Sequence, residues 1–371
     1  MECKYFGECG SCTLYEFDYE KQLDLKVKKI KDSFGIDELE VIKSPQESFR
    51  YRMEFGIYHE DEDISYAMNS FKKRKLKIDS CQIASSYIKT LMPKLLMIVK
   101  QKEILKNKLF GVEFLTTTTN EAIITLLYHK KIDKEWEDEA RSSFAGFGAN
   151  IIGRSRGVKI VLDNDFIYEE LLIDSKRYRY RVLDSGFTQP NPAVNIKMIE
   201  WVLSHIKKTT GDLIELYCGL GNFTLPLSRK FKKVLATEVS KASIKSAKEN
   251  IKLNGISNIS FARLSSEEFT EAMDGKREFR RLKGIKVDSF NFDTIFVDPP
   301  RAGVDEKTIK LLKRFDNIIY ISCNPDTLKR DLSRLDEYEI KHFALFDQFP
   351  YTNHIESGVI LQKRSCDENR S

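Results

Sequence analysis

Hydrophobic residues change their spacing twice along the chain, and the changes divide it. Leu23, Val27, Ile30 and Phe34 recur at helical intervals among charged residues, which predicts an amphipathic helix near the amino terminus. The period then shortens to two. Tyr51, Met53, Phe55 and Ile57 occupy alternate positions in RYRMEFGIYHE, and EAIITLLYH and VKIVLDNDFIY also read as strands. Residues 40–180 are therefore expected to be β-rich, with one helix near 85–103.

From about residue 185 strands and helices alternate. Asn191-Pro192 is a cap and first-turn pair ahead of VNIKMIEWVLSHI. The runs DLIELYCG, KVLATEV, ISFARL, DTIFVDP and NIIYISC follow, each succeeded by a helical segment such as KASIKSAKENIKLN, which Gly255 closes. That order predicts an α/β doubly wound parallel sheet with ligands at the carboxyl ends of its strands. HFALFDQFP and HIESGVILQK add two strands with a polar excursion between them, and a polar tail follows Lys363. Two domains are expected, a mixed β-rich one over 1–180 and an α/β one over 181–371.

Composition narrows the class. The 371 residues are 41% hydrophobic, yet no run of about 18 apolar residues occurs, so the reading is a cytoplasmic globular protein without a membrane span or leader. The net charge of +5, from 61 basic and 56 acidic residues, points only weakly to a polyanion. The run Lys72-Lys73-Arg74-Lys75 with Lys77 is either a solvated face or a phosphate-binding patch. Cysteine usage is more specific. Cys3, Cys9 and Cys12 fall within ten residues, and Cys81 stands far downstream. In a cytosolic chain such crowding predicts a metal centre, with zinc and an iron–sulfur cluster both open on spacing alone.

Three further stretches carry chemistry. In ELYCGLGNF, Gly219 and Gly221 allow a tight turn and a close ligand approach after a strand, and Glu238 closes the next strand where a carboxylate can accept a ribose diol. Asn222 replaces the third glycine of the dinucleotide fingerprint, which favours S-adenosylmethionine over a pyrophosphate. In DPPR, two prolines force a rigid exit that holds Asp298 at the sheet rim, and Arg301 stands where amino-group methyltransferases carry a base-stacking aromatic residue. Cys323 ends the fifth strand at the same rim, and Glu356 returns there after the polar excursion. A thiol and a carboxylate facing one cleft suit methylation at C5 of uracil. Thiolate addition at C6 makes C5 nucleophilic, and a base must then remove the C5 proton so that the thiol is expelled.

ELYCGLGNF, ATEVS, FVDPPRAG, YISCNP and ALFDQFPYTNHIESG, in this order, resemble the RNA 5-methyluridine methyltransferases, most closely the branch that forms ribothymidine in the tRNA T-loop. FTQPN, LLYHKK and RYRMEF extend the likeness over nearly the whole chain. The resemblance implies a class I S-adenosylmethionine-dependent methyltransferase, Rossmann-like, preceded by an RNA-binding domain. It implies that Gln189, Tyr217, Gly219, Asn222, Glu238 and Asp298 bind S-adenosylmethionine, that Cys323 is the nucleophile and Glu356 the base, and that Phe110 and His129, with Arg301, lie toward the RNA. The expected partner is the T-arm of tRNA, with the tRNA-like part of tmRNA as a second substrate, and the expected assembly is a monomer. Flipping of the target base is required because C6 is unreachable inside a stack.

Two departures bear on the substrate. The C-x5-C-x2-C pattern with a distant cysteine resembles the ribosomal-RNA branch, where it holds a [4Fe–4S] cluster, so a [4Fe–4S] cluster is expected here before zinc, and 23S ribosomal RNA is the alternative substrate. That branch often carries a small β-barrel ahead of the cysteines, for which this chain, starting almost at Cys3, leaves no room. Gly56 follows MEF where tRNA enzymes carry a basic residue. A third reading is an iron–sulfur RNA-binding protein with a vestigial cofactor pocket.

Overall fold

Asp18 accepts the backbone N–H of Lys21 at 2.8 Å and so begins α1 (Tyr19–Phe34), which Gly35 ends in the left-handed conformation. The computed structural model describes residues 1–72 and 74–364; Lys73 of the basic run and the polar tail with Cys366 lie outside them. Leu23 and Ile30 are buried as their spacing predicts, but so are Gln22 and Lys26. The chain continues through β1 (Glu40–Ile42), β2 (Arg52–Glu60), β3 (Asp63–Asn69) and β4 (Lys75–Ile78) to α2 (Ser86–Lys100) and α3 (Glu103–Lys106). Next come β5 (Leu109–Thr116), β6 (Ala122–Tyr128), α4 (Lys134–Ser143), β7 (Asn150–Ser155), β8 (Val158–Val161), β9 (Phe166–Ile173) and β10 (Lys176–Leu183).

Seven of these strands form one sheet in the order β4-β3-β2-β5-β6-β7-β8, antiparallel except for the β6–β7 pair. Phe55, Tyr66 and Phe114 make its aromatic centre, covered by Leu91 and Leu95 of α2. VKIVLDNDFIY, expected as one strand, is two. Asp163-Asn164-Asp165, whose side chains favour turns, separates β8 from β9. The β9–β10 hairpin stands apart from the seven-stranded sheet, and its Leu171, Ile173, Tyr178 and Tyr180 join a core with the helix that follows.

That helix, α5 (Pro192–His205), is capped by Asn191 and starts with its proline. Then follow β11 (Asp212–Leu216), α6 (Thr224–Leu227), β12 (Val234–Thr237), α7 (Lys241–Leu253), β13 (Ile259–Ala262), α8 (Ser266–Met273), β14 (Phe292–Val297) and α9 (Glu306–Leu312). The chain closes with β15 (Asn317–Ser322), α10 (Pro325–Leu332), β16 (Tyr338–Phe346) and β17 (Glu356–Lys363). The second sheet has eight strands in the order β1-β16-β17-β15-β14-β11-β12-β13. Strands β11 to β15 are mutually parallel, and β17 runs antiparallel to both β15 and β16. The strand order reverses at β11, so the crevice lies between the carboxyl ends of β11 and β14, where the glycine loop and DPPR emerge side by side. The amino-terminal segment crosses over to this sheet, β1 adding a parallel edge strand on β16 and α1 contributing Ile30 to its core. Among the described residues no helix is long and apolar enough to cross a membrane.

Candidate active site

The loop after β11 is held open by its backbone. Tyr217, Gly219 and Gly221 all take positive φ, and a Cβ on Gly221 would lie 2.6 Å from the Leu225 side chain. A non-glycine residue at φ 60° is strained, and here it turns the Tyr217 ring into the crevice. Glu238, just beyond β12, accepts the N–H groups of Gly219 at 3.2 Å and Ser240 at 2.7 Å and so ties the first two carboxyl ends together. The helix expected after this loop is a single turn, α6, because Pro226 offers no N–H and the chain tightens into a 3₁₀ turn over Ser228–Lys230. Asn222 exchanges two amide hydrogen bonds with Asn195 of α5, at 2.8 and 2.9 Å. Asn195 carried no signal in the sequence, since it falls inside an apolar helical pattern.

On the opposite lip, Gln189 donates to Asp298 at 3.5 Å and accepts from Gln348 at 3.3 Å. Burial pushes the Asp298 carboxyl up to about 7. Asn324, which caps α10, donates to the Arg301 carbonyl at 3.2 Å, and Thr327 donates to the same oxygen at 3.3 Å, so the DPPR turn and the cysteine turn form one rim.

Cys323 is half-buried, one residue beyond β15. The register pairs Ser322 with Ser357 across β15 and β17, which sets Glu356, the first residue of β17, beside it. Glu356 is only 3% exposed, so its carboxyl is buried at the rim rather than solvated. Burial, then the charge of Asp298, raises its pKa well above the carboxylate range. Burial also pushes the Cys323 thiol up to about 11, the charges of Glu356 and Asp298 add to the rise, and the Arg301 guanidinium opposes it. Tyr217, Gly219, Glu238, Asp298, Cys323 and Glu356 all line one cleft, and Arg50, Arg52 and Arg301 give it basic character. The adjoining cavity behind Tyr217 is lined by Gln189, Asn195, Glu215 and Asn222, and burial raises Glu215 to about 8.

The excursion before Glu356 is strapped down by α1. Lys26 donates to Asp347 at 2.6 Å and to the Phe349 carbonyl at 3.0 Å, while Gln22 accepts the Tyr351 N–H at 2.8 Å. No local pattern announced these partners, which lie more than 320 residues apart in the chain.

Phe110 and His129 lie away from this cleft, on β5 and just after β6, and their rings stack at 4.0 Å with an interplanar angle of 18°. Cys3, Cys9, Cys12 and Cys81 gather at the edge of the seven-stranded sheet, where Cys9 bridges Ser70. Burial pushes Cys12 up to about 12, with further rises from the charges of Cys81, Cys9 and Cys3. Burial likewise raises Cys81 to about 11, opposed by backbone N–H groups of Ala84 and Ile83 that donate to its thiol. Cys12 and Cys81 would bind a metal as thiolates only with loss of their protons, so metal binding there would release protons. Cys3, Cys9, Cys12 and Cys81 together offer the four sulfur donors that a zinc or iron–sulfur centre takes. Arg50 joins this corner to the cleft: its charge acts on Cys12 and Cys81, and its guanidinium lies 5.7 Å over the Phe349 ring.

A family model described as tRNA (Uracil-5-)-methyltransferase matches residues 18–364. The chain belongs to that family. A protein of Sulfurovum sp. named tRNA/tmRNA (uracil-C(5))-methyltransferase is 52% identical over 98% of this chain and 100% of its own. A protein of the same name from Neisseria meningitidis serogroup A is 50% identical over 94% of this chain and 99% of its own. Among solved structures, Pyrococcus abyssi tRNA (uracil-54, C5)-methyltransferase in complex with S-adenosyl-L-homocysteine superposes with a TM-score of 0.74. It covers 95% of this chain and 86% of its own at 24% identity, which establishes the shared fold. The fold is that of a class I S-adenosylmethionine-dependent methyltransferase, as the strand–helix alternation predicts.

Proposed function

We propose that this chain methylates C5 of the T-loop uridine of tRNA, forming ribothymidine, and acts likewise on the tRNA-like part of tmRNA. The observation that supports this most strongly is the shared rim, where β15–β17 register sets Cys323 beside Glu356 and the cofactor loop opens opposite. Near-whole-chain identity of about half to proteins named for that reaction supports it independently.

S-adenosylmethionine supplies the electrophilic methyl group. Gln189, Tyr217, Gly219, Asn222, Glu238 and Asp298 hold it, with Asn195 fixing the Asn222 amide and Gln348 fixing Gln189. The Cys323 sulfur adds to C6 of the flipped uracil, and electron density moves through the ring to C5. The thiol proton passes to water in the open cleft during attack, because a thiol raised to about 11 is rarely ionised at neutral pH. After C5 is methylated, Glu356, which must first release its own proton to water because burial raises its pKa, takes the C5 proton as a carboxylate, the C5–C6 double bond re-forms and the thiolate departs. Arg301, exposed beside Cys323, contacts the RNA and lowers the cost of the thiolate.

In this reading residues 1–180 grip the T-arm, with the stacked Phe110 and His129 among the contacts, and residues 181–371 perform the chemistry. Cys3, Cys9, Cys12 and Cys81 hold a [4Fe–4S] cluster that staples the amino terminus to the Cys81 loop. The protein works in the cytoplasm as a monomer. The test is transfer from labelled S-adenosylmethionine to an unmodified tRNA transcript and to a ribosomal RNA fragment, with base analysis. Label in 5-methyluridine of the T-loop is the expected result. Label in the ribosomal fragment alone would reassign the substrate to the branch that the cysteine pattern resembles.

A further inference from the structure

Glu40, His205 and His342 meet at the far end of the eight-stranded sheet from the cleft. One ligand atom from each lies within 4.8 Å of the other two. They come from three elements: Glu40 opens β1, His205 ends α5, and His342 stands on β16 beside a bulge that breaks its register with β17 between Ile340 and His342. A bulge re-aims a side chain out of the regular alternation, and here it sets the His342 ring 4.0 Å from that of His205 at 50°.

The surrounding bonds are those of oriented ligands. His205 Nδ1 lies 2.8 Å from the Trp201 carbonyl, which can only accept, so Nδ1 carries the proton. Nε2 therefore faces Glu40 Oε1, at 3.1 Å. The same Glu40 oxygen accepts the Trp201 indole N–H at 2.8 Å, which fixes the carboxylate. A histidine whose second nitrogen donates to a backbone carbonyl, beside a hydrogen-bonded carboxylate, is the usual support of a metal site. The Lys341 charge also acts on His342, but its ammonium donates to Glu339 at 2.5 Å.

We propose that Glu40, His205 and His342 bind a divalent transition cation of the zinc class, with water completing a tetrahedron. Two imidazoles and one carboxylate select zinc, cobalt or nickel over calcium and magnesium, which prefer all-oxygen shells. The site is separate from the four cysteines. Its role is a clamp, since it joins the edge strand β1, the end of α5 and the outer strand β16 at a place where β1 has only three residues of pairing.

The test is Co2+ titration of the purified full chain by absorption, with the thermal midpoint measured with and without Zn2+. The expected result is one equivalent of cobalt with the weak visible bands of a nitrogen–oxygen site, and a Zn2+-dependent rise in the midpoint. Both are expected to weaken by at least about tenfold in His342→Ala and in Glu40→Gln, which keeps an acceptor for Trp201. Glu40 is exposed, so its variant decides the matter if His342→Ala fails to fold. Unchanged cobalt bands and Zn2+ response in these variants would overturn the proposal. So would cobalt bound only through a thiolate charge-transfer band that Cys12→Ser removes.

Discussion

Two side chains divide the proposed reaction, and each division has its own signature. Cys323→Ala removes the thiol proposed to add at C6, so methyl transfer is expected to fall to background while S-adenosylmethionine binding persists. Glu356→Gln keeps the shape and hydrogen-bonding reach of the side chain but cannot take the C5 proton. The methylated uracil should then stay attached to Cys323, visible as a protein–RNA band that survives denaturing electrophoresis. Absence of that band alongside normal turnover would remove Glu356 from the role of base. Asp298 makes a pH prediction. Its pKa is raised to about 7 by burial, so it is largely neutral below that pH and charged above it. A cationic sulfonium is held better by the charged form, so cofactor affinity should rise as pH increases through about 7 and level off above. Asp298→Asn should flatten that profile, as isothermal titration across pH 6 to about 8.5 would show.

At the scale of elements, the turn that leads to Glu356, the proposed base, is tied to a helix at the other end of the chain. Lys26 and Asp347 are 3% and 1% exposed and joined at 2.6 Å, so they form a fully buried ion pair between α1 and the turn that leads to Glu356. Burial alone lowers the Lys26 pKa, and the Asp347 charge opposes that. Removing one partner leaves an uncompensated charge, so Lys26→Met should cost about 3–5 kcal/mol in denaturant unfolding. The double change Lys26→Met with Asp347→Leu should recover most of that stability. Turnover should fall in the double variant all the same, because the Phe349 carbonyl loses its donor and the turn before Glu356 loosens. Recovery of both stability and full turnover would show that the strap does not position the base.

At the scale of the molecule, the cysteine corner and the catalytic cleft share Arg50, whose charge acts on Cys12 and Cys81 and whose guanidinium covers Phe349. Losing the proposed cluster should therefore be felt at the rim. Cys12→Ser is expected to increase amide exchange over residues 1–16 and around Cys81, and also at 347–352, while β11 to β15 stay protected. Exchange confined to the amino terminus would mean that Arg50 is held by packing alone. Anaerobic purification supplies the companion measurement: a folded, colourless and iron-free protein would dispose of the iron–sulfur assignment.

Local order was written plainly in the chain. Alternation of apolar runs with capped helical segments specifies a parallel sheet because period and capping are properties of neighbouring residues, and the carboxyl-end positions of Gly219, Asp298 and Cys323 follow from strand order. Thus the placement of the proposed nucleophile and cofactor loop at one rim could be read without coordinates. Tertiary structure alone decided which residues hold them. The Asn195–Asn222 amide pair, the Lys26–Asp347 strap, the crossing of β1 to the far sheet and the meeting of Glu40 with His205 and His342 all join segments distant in sequence. Such pairs leave no periodic trace, because a buried lysine or asparagine on a helix has the same sequence appearance as a solvated one until its partner is in place.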